Sequence, residues 1–202
     1  MSFWDHRKPV HRARAVDVSE VARAAVVLLD EGGLRGLTVR AVAGRLKVAP
    51  ASLYSRVESV ADLHDLALDH ALGDDRALDR AMAGSDLHVL MLAFYRHLAR
   101  HRWACHVIGM RAPRGPHYLR LSERMVVLLE ELGADDPLGA AYTLSNFVIG
   151  SAMTASMSED ERSARVDPAI APHYARLHAE HAVDAESILA AGLAALRSQL
   201  HA

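Results

Sequence analysis

The 202-residue chain has very little cysteine and few aromatic residues. Its single cysteine, Cys105, excludes a disulfide within one chain and a cysteine-rich zinc site, and a reducing compartment is the simplest expectation. Aromatic residues make up 5% of the chain, whereas Ala, Leu, Val and Arg dominate, and this mixture favours helices over sheets. With 51% hydrophobic and 24% charged residues, the composition excludes wholesale disorder.

The sequence shows no strand pattern, no export signal and no clear membrane span. The first sixteen residues contain no apolar segment of the kind that a secretory signal needs. Residues 137–157 carry no charge over 21 positions, which is long enough to cross a bilayer. Seven hydroxyl or amide side chains in that stretch favour a buried helix instead. We therefore expect a cytoplasmic protein with no membrane partner.

The net charge of −2 conceals an uneven distribution. Residues 1–60 hold ten Lys/Arg and six Asp/Glu, a net +4, whereas residues 61–202 carry −6. Such a division favours contact between the N-terminal third and a polyanion, although chance placement would give the same count. Residues 1–16, with little apolar periodicity, are predicted to form a basic flexible arm that either lies along phosphates or remains a solvated tail.

Residues 17–60 show the periodicity of three helices. The first begins near Asp17 and ends at Gly32 and Gly33, because glycine adopts the left-handed cap readily. Thr38 is an expected N-cap for a second helix of about two turns, with Arg40 on its exposed side. A third short helix starts at Ala49. Two short helices joined by a tight turn are typical of a helix-turn-helix.

The start of the third helix has small side chains suited to a DNA groove. Pro50 stands in the first turn, where its missing N–H costs nothing. Ala49, Pro50, Ala51 and Ser52 present no steric bar to insertion of the helix N-terminus into a major groove. The positive end of the helix dipole faces phosphates there.

The stretch LTVRAVAGRLKVAPASLYSRVESVADLHDLAL (37–68) resembles the helix-turn-helix of the TetR family, most clearly in SLYSRVES (52–59). The resemblance implies that Thr38 and Tyr54 contact phosphates and that Arg40 contacts a base. The full predicted set of DNA-binding residues is Thr38, Arg40, Ala49, Pro50, Ala51, Ser52, Tyr54, Ser55 and Arg56. Two positions depart from the family pattern: Lys47 replaces the usual turn glycine, and Val60 replaces a frequent lysine.

Residues 61–202 are predicted to form a larger helical domain for ligand binding and dimerisation. We expect one long helix from Ser59 to about Met82, further helices over 86–101, 103–111 and 117–132, an uncharged helix over 137–157 and a final helix over 184–200. A loop is expected over 111–116, a mobile charged segment over 158–168, and weak helix over 171–181. The fold class is therefore all-α, with nine or ten helices. The uncharged and final helices are the best candidates for a homodimer interface.

The segments HRWACHVIGMRAPRGPHYLRLSERMVVLLEELG (101–133) and YTLSNFVIGSAMTASMSEDE (142–161) are similar to C-terminal domains of the tetracycline-repressor type. The histidines that hold the drug–Mg²⁺ chelate there fall on Ile108 and near Ile149, which argues against tetracycline–magnesium as ligand. A mostly apolar cavity with a few polar anchors is expected. The predicted ligand-binding residues are Phe94, Met110, Arg111, His117, Arg124, Asn146 and Met153, and Met and Phe at this spacing also suit an ordinary core.

Thirteen histidines suggest an alternative of metal binding or hydrolysis. His97 and His101 share a helix face, as do His178 and His181, but no HExxH, GxSxG or phosphate-loop motif accompanies them. We predict no catalytic residue, no metal and no cofactor. The expected protein is a homodimeric repressor that a small-molecule effector releases from double-stranded operator DNA. A constitutive DNA-binding dimer without inducer is the main alternative, followed by a His-rich metal-binding protein.

Overall fold

The computed structural model describes residues 2–6, 16–181 and 184–198, apart from the side chains of Ser158, Glu159 and Arg162. All regular elements in these ranges are helical, which confirms the predicted all-α class. In chain order the helices are α1 (Phe3–His6), α2 (Val18–Gly36), α3 (Val39–Leu46), α4 (Pro50–Leu53), α5 (Val60–Asp74), α6 (Arg76–Gly84), α7 (Leu87–Arg100), α8 (Arg102–Met110), α9 (Pro116–Glu131), α10 (Pro137–Thr154), α11 (Ser158–Ser163), α12 (Pro172–Glu180) and α13 (Ala185–Arg197).

Helix α2 is the long first helix of the predicted DNA-binding domain. Asp17 caps it by accepting a hydrogen bond from the Ser19 amide at 2.9 Å. The expected end at the glycine pair is wrong by one turn, because the backbone kinks at Gly33 (φ 61°, ψ −163°) and then continues to Gly36. That conformation is accessible essentially only to glycine. The kink lets Leu37, which is 2% exposed, reach the core.

The single helix expected from Ser59 to Met82 is two helices. Helix α5 ends at Asp74 and α6 begins at Arg76, with Asp75 between them in an extended conformation. The Asp75 carboxylate accepts hydrogen bonds from the amides of Ala77 and Leu78 at 3.0 and 3.1 Å. Capping by Asp75 stabilises a new helix start, and apolar periodicity does not reveal such a break.

Residues 2–6 do not form the free arm that the sequence analysis expected. They form α1, in which Phe3 is 2% exposed and packs against α5. The Asp65 carboxylate accepts hydrogen bonds from the Phe3 amide at 2.8 Å and from the Ser2 hydroxyl at 2.9 Å. Burial of an aromatic ring and two hydrogen bonds hold this segment down. Residues 7–15, with most of the basic side chains, lie outside the described residues, so the predicted domain boundaries stay predictions.

Helix α7 forms the centre of the C-terminal core, where Leu90, Phe94 and Leu98 are fully buried. It packs against α6, α8, α9, α10 and α13. Helix α10 was expected to be buried, but within one chain only one stripe of it is: Ala141, Leu144, Val148 and Ala152. Side chains on other faces of α10, Tyr142 and Met153 among them, are exposed in the single chain. Among the described residues, no helix is long and apolar enough to span a membrane.

The last described helices pack unevenly. The charged segment 158–168, which the sequence predicts to be mobile, contains α11, and α12 buries none of its residues. Helix α13 buries Leu189 and Leu193 against the core, whereas Ile188 is 50% exposed. The predicted apolar position Leu200 lies outside the described residues. The C-terminal part of the chain therefore has a packed side and an uncovered apolar side.

Candidate nucleic-acid interface and effector cleft

Helices α3 and α4 form a helix-turn-helix. The Thr38 hydroxyl accepts a hydrogen bond from the Ala41 amide at 3.0 Å and so caps α3, as predicted. Lys47 ends α3 in the left-handed conformation (φ 55°, ψ 40°). The amides of Lys47 and Val48 donate to the carbonyls of Gly44 and Ala43 at 3.2 and 3.0 Å, which is the Schellman pattern. A non-glycine residue in this conformation costs roughly 1–2 kcal/mol.

The predicted DNA-binding residues lie on the exposed side of this motif. Tyr54 is 60% exposed, although the adjacent Leu53 and nearby Val57 are fully buried. The other exposed members are Thr38, Arg40, Ala49, Pro50, Ala51, Ser52 and Ser55. Arg56 is partly buried, and its Nε has no hydrogen-bond partner among the described residues. An exposed aromatic beside small side chains and arginine suits a phosphate-rich surface.

Arg45, on the same helix as Arg40, has a different environment. Its guanidinium donates to both carboxylate oxygens of Glu31 at 2.9 and 3.1 Å. Arg40 makes no ion pair with any residue that the structure describes. The bidentate pair offsets the charge of Arg45, so Arg40 and Lys47 are the cations of α3 and its turn that remain free for a polyanion.

Three buried carboxylates follow one face of α5, the helix that leaves the DNA-binding domain. Asp62, Asp65 and Asp69 are 2%, 6% and 5% exposed. Asp62 accepts from the Glu58 amide at 2.7 Å, and its Oδ1 lies 3.2 Å from His6 Nε2. The other two bind the segment between α8 and α9. Because these charges are buried and paired, each one fixes a neighbouring segment to α5.

The contacts to that segment are short and numerous. Arg111 Nε donates to Asp65 Oδ1 at 3.0 Å, and Arg111 Nη2 donates to the Ala61 carbonyl at 2.6 Å. The His117 amide donates to Asp69 Oδ1 at 2.8 Å, and His117 Nδ1 lies 2.8 Å from Asp69 Oδ2. The loop between α8 and α9 is therefore tied to α5 at both of its ends.

A further buried carboxylate, Asp75, binds His97 and Arg100 of α7. Its Oδ2 lies 3.0 Å from His97 Nδ1 and 3.2 Å from Arg100 Nη1. The hydrogen bond from His97 holds the pKa of Asp75 well below its usual range. Burial lowers the pKa of His97, against the opposing effect of Asp75. His97 Nε2 is buried with no partner among the described residues, which also favours the neutral imidazole.

A cleft of about 430 Å³ opens between α8, the α8–α9 loop, α9 and α10. Its walls are mostly apolar and include Ile108, Pro113, Met125 and Ile149. Its polar lining consists of Arg114, Tyr118, Ser122, Tyr142, Ser145 and Asn146. This size and this mixture are typical of small-molecule sites in proteins. We call it the effector cleft.

The seven residues predicted to bind a ligand are not brought together. Asn146 lines the effector cleft, but Phe94 is fully buried in the core, and Met110 and Met153 are 57% and 50% exposed outside the lining. Arg111 and His117 bind α5, as described above. Arg124 Nη2 donates to the Ser85 carbonyl at 3.4 Å. Three cationic or imidazole side chains are thus engaged by other groups of the chain.

Sequence reasoning missed most of the polar lining. Tyr118, Tyr142 and Ser145 have no motif that distinguishes them from other helical residues. One signal was present in the resemblance, which places the drug-chelate histidines of tetracycline-repressor-type domains on Ile108 and near Ile149, and both isoleucines line the cleft.

The histidines that suggested a metal site are engaged by carboxylates of the chain. The rings of His97 and His101 have centroids 5.1 Å apart, but their Nδ1 atoms lie against different carboxylates, Asp75 and Asp30, at 3.0 and 2.8 Å. Burial raises the pKa of the Cys105 thiol to about 11, so the thiolate that a nucleophile requires is not formed near neutral pH. Within the described ranges, no group of three His, Cys, Asp or Glu side chains could hold a metal ion.

Known proteins share this arrangement. A family model described as the tetracyclin repressor-like C-terminal domain matches residues 84–190. An HTH-type transcriptional regulator of Saccharopolyspora erythraea is 33% identical over 166 residues, covering 80% of this chain and 70% of that protein. The HTH-type transcriptional repressor DrrR1 of Streptomyces coeruleorubidus is 33% identical over 165 residues, but these span 74% of this chain and only 58% of that protein.

Among solved structures, the TetR-family protein ActR of Streptomyces coelicolor in complex with (S)-DNPA superimposes with a TM-score of 0.74. The match covers 92% of this chain and 97% of ActR at 23% identity, so it shows the shared fold. An exposed helix-turn-helix on a helical core with an apolar cleft is the arrangement expected of a DNA-binding regulator of transcription, and the relatives that this chain matches carry that description. The chain belongs to the TetR family, as the resemblance predicted.

Proposed function

We propose that this protein is a homodimeric repressor that binds a palindromic operator and leaves it when a small molecule occupies the effector cleft. The observation that carries the proposal is the double attachment of one cleft wall to α5 through Asp65 and Asp69. Helix α5 begins next to the helix-turn-helix and packs along α2, so its position also sets the position of α3 and α4. The repressor DrrR1 and the liganded ActR are consistent with both halves of the proposal.

The uncovered faces of α10 and α13 support a dimer. Met153 on α10 and Ile188 on α13 are each 50% exposed in the single chain, and the two helices already pack against each other. Two such pairs related by a two-fold axis would bury these side chains. A dimer would also place two helix-turn-helix motifs about 34 Å apart, on successive major-groove faces of a palindrome.

Release requires that the effector bind one arrangement of the protein better than the other. An effector that enters between Tyr118 and Asn146 contacts the α8–α9 loop, and Arg111 and His117 carry the displacement of that loop to α5. A tenfold loss of operator affinity requires a difference of about 1.4 kcal/mol between the two arrangements. The cleft chemistry suits an effector other than tetracycline–Mg²⁺, with polar groups for tyrosine, serine and amide partners.

Fluorescence anisotropy tests this proposal. The full chain is titrated onto a duplex from the DNA that flanks its gene and onto a random duplex of equal length, at physiological salt. We expect a preference of about 10³-fold or more for the flanking duplex. The same assay then screens small molecules for release. Equal, weak binding to both duplexes would contradict specific recognition near the gene.

A variant distinguishes the proposed coupling from the alternative of a constitutive DNA-binding dimer. Asp69→Asn weakens the link between the cleft wall and α5, so it should retain operator binding but lose most of the response to an effector. Asp79→Asn, on the exposed side of α6, serves as the matched control. If a small molecule binds the cleft by calorimetry and leaves operator affinity unchanged in the wild type, the constitutive alternative is correct.

A further inference from the structure

A second cleft, of about 650 Å³, lies where α2 of the DNA-binding domain meets the end of α7 and the start of α8. We call it the junction cleft. It shares no lining residue with the effector cleft. Its inner wall is apolar, made by Leu29, Leu34 and Trp103. One wall belongs to the DNA-binding domain and the other to the core, so a molecule bound here would touch both.

The rim of the junction cleft is cationic. Arg35, Arg100, Arg102 and His106 line it and are all exposed. Arg100 uses Nη1 for Asp75, and its side chain remains 57% exposed. Arg35 and Arg102 form no ion pair with any residue in the described ranges. Two unpaired guanidinium groups and the exposed charge of Arg100 therefore face one cavity, where solvent or a bound anion offsets their mutual repulsion.

The one acidic residue of the lining does not neutralise this rim. Asp30 Oδ1 accepts a hydrogen bond from Trp103 Nε1 at 2.7 Å and lies 2.8 Å from His101 Nδ1. These contacts hold the indole of Trp103 in place against α2. The carboxylate therefore supports the apolar wall, while the arginines remain available to a ligand.

Two glycines keep the cleft open on the α2 side. A Cβ atom added at Gly32 or Gly33 would meet no other atom within 4 Å. Gly33 needs its hydrogen side chain for its positive φ, but Gly32 has no such requirement. Every residue other than proline would be preferred to glycine at position 32 on helix propensity alone. Because Gly32 has no side chain, the space beside it remains part of the junction cleft.

We propose that the junction cleft binds a small organic anion with a flat apolar body, such as an aromatic carboxylate or sulfonate. The apolar wall would cover the ring system, and the guanidinium groups of Arg35 and Arg102 would pair with the acidic group. The cleft volume is within the range of small-molecule sites. A bound anion would favour the arrangement of the DNA-binding domain and the core in which both walls of the cleft contact it. This regulation is additional to that of the effector cleft.

Isothermal titration calorimetry of the full-length protein tests this site without DNA. The probe is 2-naphthoate, and 2-naphthamide is its uncharged counterpart of similar shape. We expect 2-naphthoate to bind with a dissociation constant below about 1 mM and the amide to bind at least about tenfold more weakly, because it lacks the charge-assisted hydrogen bonds.

Four variants locate the binding site. Arg102→Gln should weaken naphthoate binding about tenfold, and Gly32→Leu should abolish it by filling the cleft. Gly32→Leu should melt no lower than the wild type, since its side chain enters open space. Arg120→Gln, an exposed arginine of α9, and Ser145→Leu, which fills the effector cleft, should leave naphthoate binding unchanged.

Three results would overturn the proposal. The first is the absence of measurable binding of 2-naphthoate to the wild type. The second is binding that Gly32→Leu and Arg102→Gln leave intact, which would place the anion elsewhere. The third is loss of binding in Ser145→Leu, which would assign the anion to the effector cleft. None of these results depends on operator recognition, so failure here is distinguishable from failure of the proposed function.

Discussion

The helix-turn-helix and the C-terminal core differ in what surrounds their cationic side chains. In the helix-turn-helix, Arg40 and Lys47 are exposed and form no ion pair with the described residues, although Arg45 is paired with Glu31. In the core, Arg111 and His117 bind buried carboxylates of α5. Free surface cations favour a polyanionic partner, whereas buried pairs fix helices relative to one another. The same residue type therefore serves recognition in one region and positioning in the other.

The largest expected effect is the loss of stability when a buried carboxylate of α5 is removed. Asp65→Ala removes one partner of the part-buried Arg111 and the acceptor of the Ser2 and Phe3 hydrogen bonds. Loss of this buried carboxylate, which takes the acceptor from several donors at once, should lower the free energy of unfolding by about 2–4 kcal/mol. Urea denaturation measures the free energy of unfolding. Asp79→Ala, on the exposed side of α6, is the control and should change that free energy by less than about 0.5 kcal/mol. A small effect at both positions would mean that the α5 carboxylates do not position the core.

The next effect concerns recognition. Arg40→Ala should weaken operator binding by about 1–3 kcal/mol if Arg40 contacts a base, with less loss on random DNA. Arg45→Ala, whose charge is already offset by Glu31, should lose less on both duplexes. Anisotropy titrations of both variants on both duplexes make the comparison. Equal losses on operator and random DNA would make Arg40 a phosphate contact instead.

Acidification should lower the free energy of unfolding through a buried histidine of the C-terminal core, His97. The folded-state pKa of His97 is lowered by burial, so the unfolded chain binds a proton at higher pH. The free energy of unfolding should therefore fall as pH decreases through about 6.5. The lowered pKa of Asp75 adds a further loss only below about pH 4.

Melting temperatures between pH 7.5 and 5.5 measure this first loss. His97→Gln should reduce the pH dependence, leaving the part that comes from His64 and His70, whose pKa values burial also lowers. His173→Gln, on the exposed surface of α12, should leave the pH dependence as it is in the wild type. An unchanged pH dependence in His97→Gln would mean that the Asp75–His97 pair does not couple folding to protons.

The smallest effect is expected at the turn. Lys47→Gly removes the cost, roughly 1 kcal/mol, of a non-glycine residue in the left-handed conformation. Glycine also gives the unfolded chain more conformational freedom, which destabilises the folded state by about 0.5–1 kcal/mol. The free energy of unfolding should therefore change by less than about 1 kcal/mol. If Lys47 reaches a phosphate, the slope of log affinity against log salt should fall by about 1. An unaltered slope would show that Lys47 is free of the DNA.

Sequence reasoning performed well where contacts are local. The N-cap at Thr38, the exposed position of Arg40 and the start of a short helix at Ala49 all depend on neighbours a few residues away. It failed where a carboxylate acts over a long separation. Asp75, which caps α6, is held by His97 and Arg100, 22 and 25 residues away on α7, and Arg111 lies 46 residues from Asp65.

The sequence by itself determined the all-α class, the family and the helix-turn-helix, because spacing, capping residues and small side chains specify local helices and their exposed faces. Only the tertiary structure decided which polar residues remain available to a ligand. Arg111 and His117 satisfy buried acids, whereas Tyr118, Tyr142 and Ser145 line the effector cleft. A buried charge must find a partner wherever the fold brings one, and periodicity carries no information about that partner.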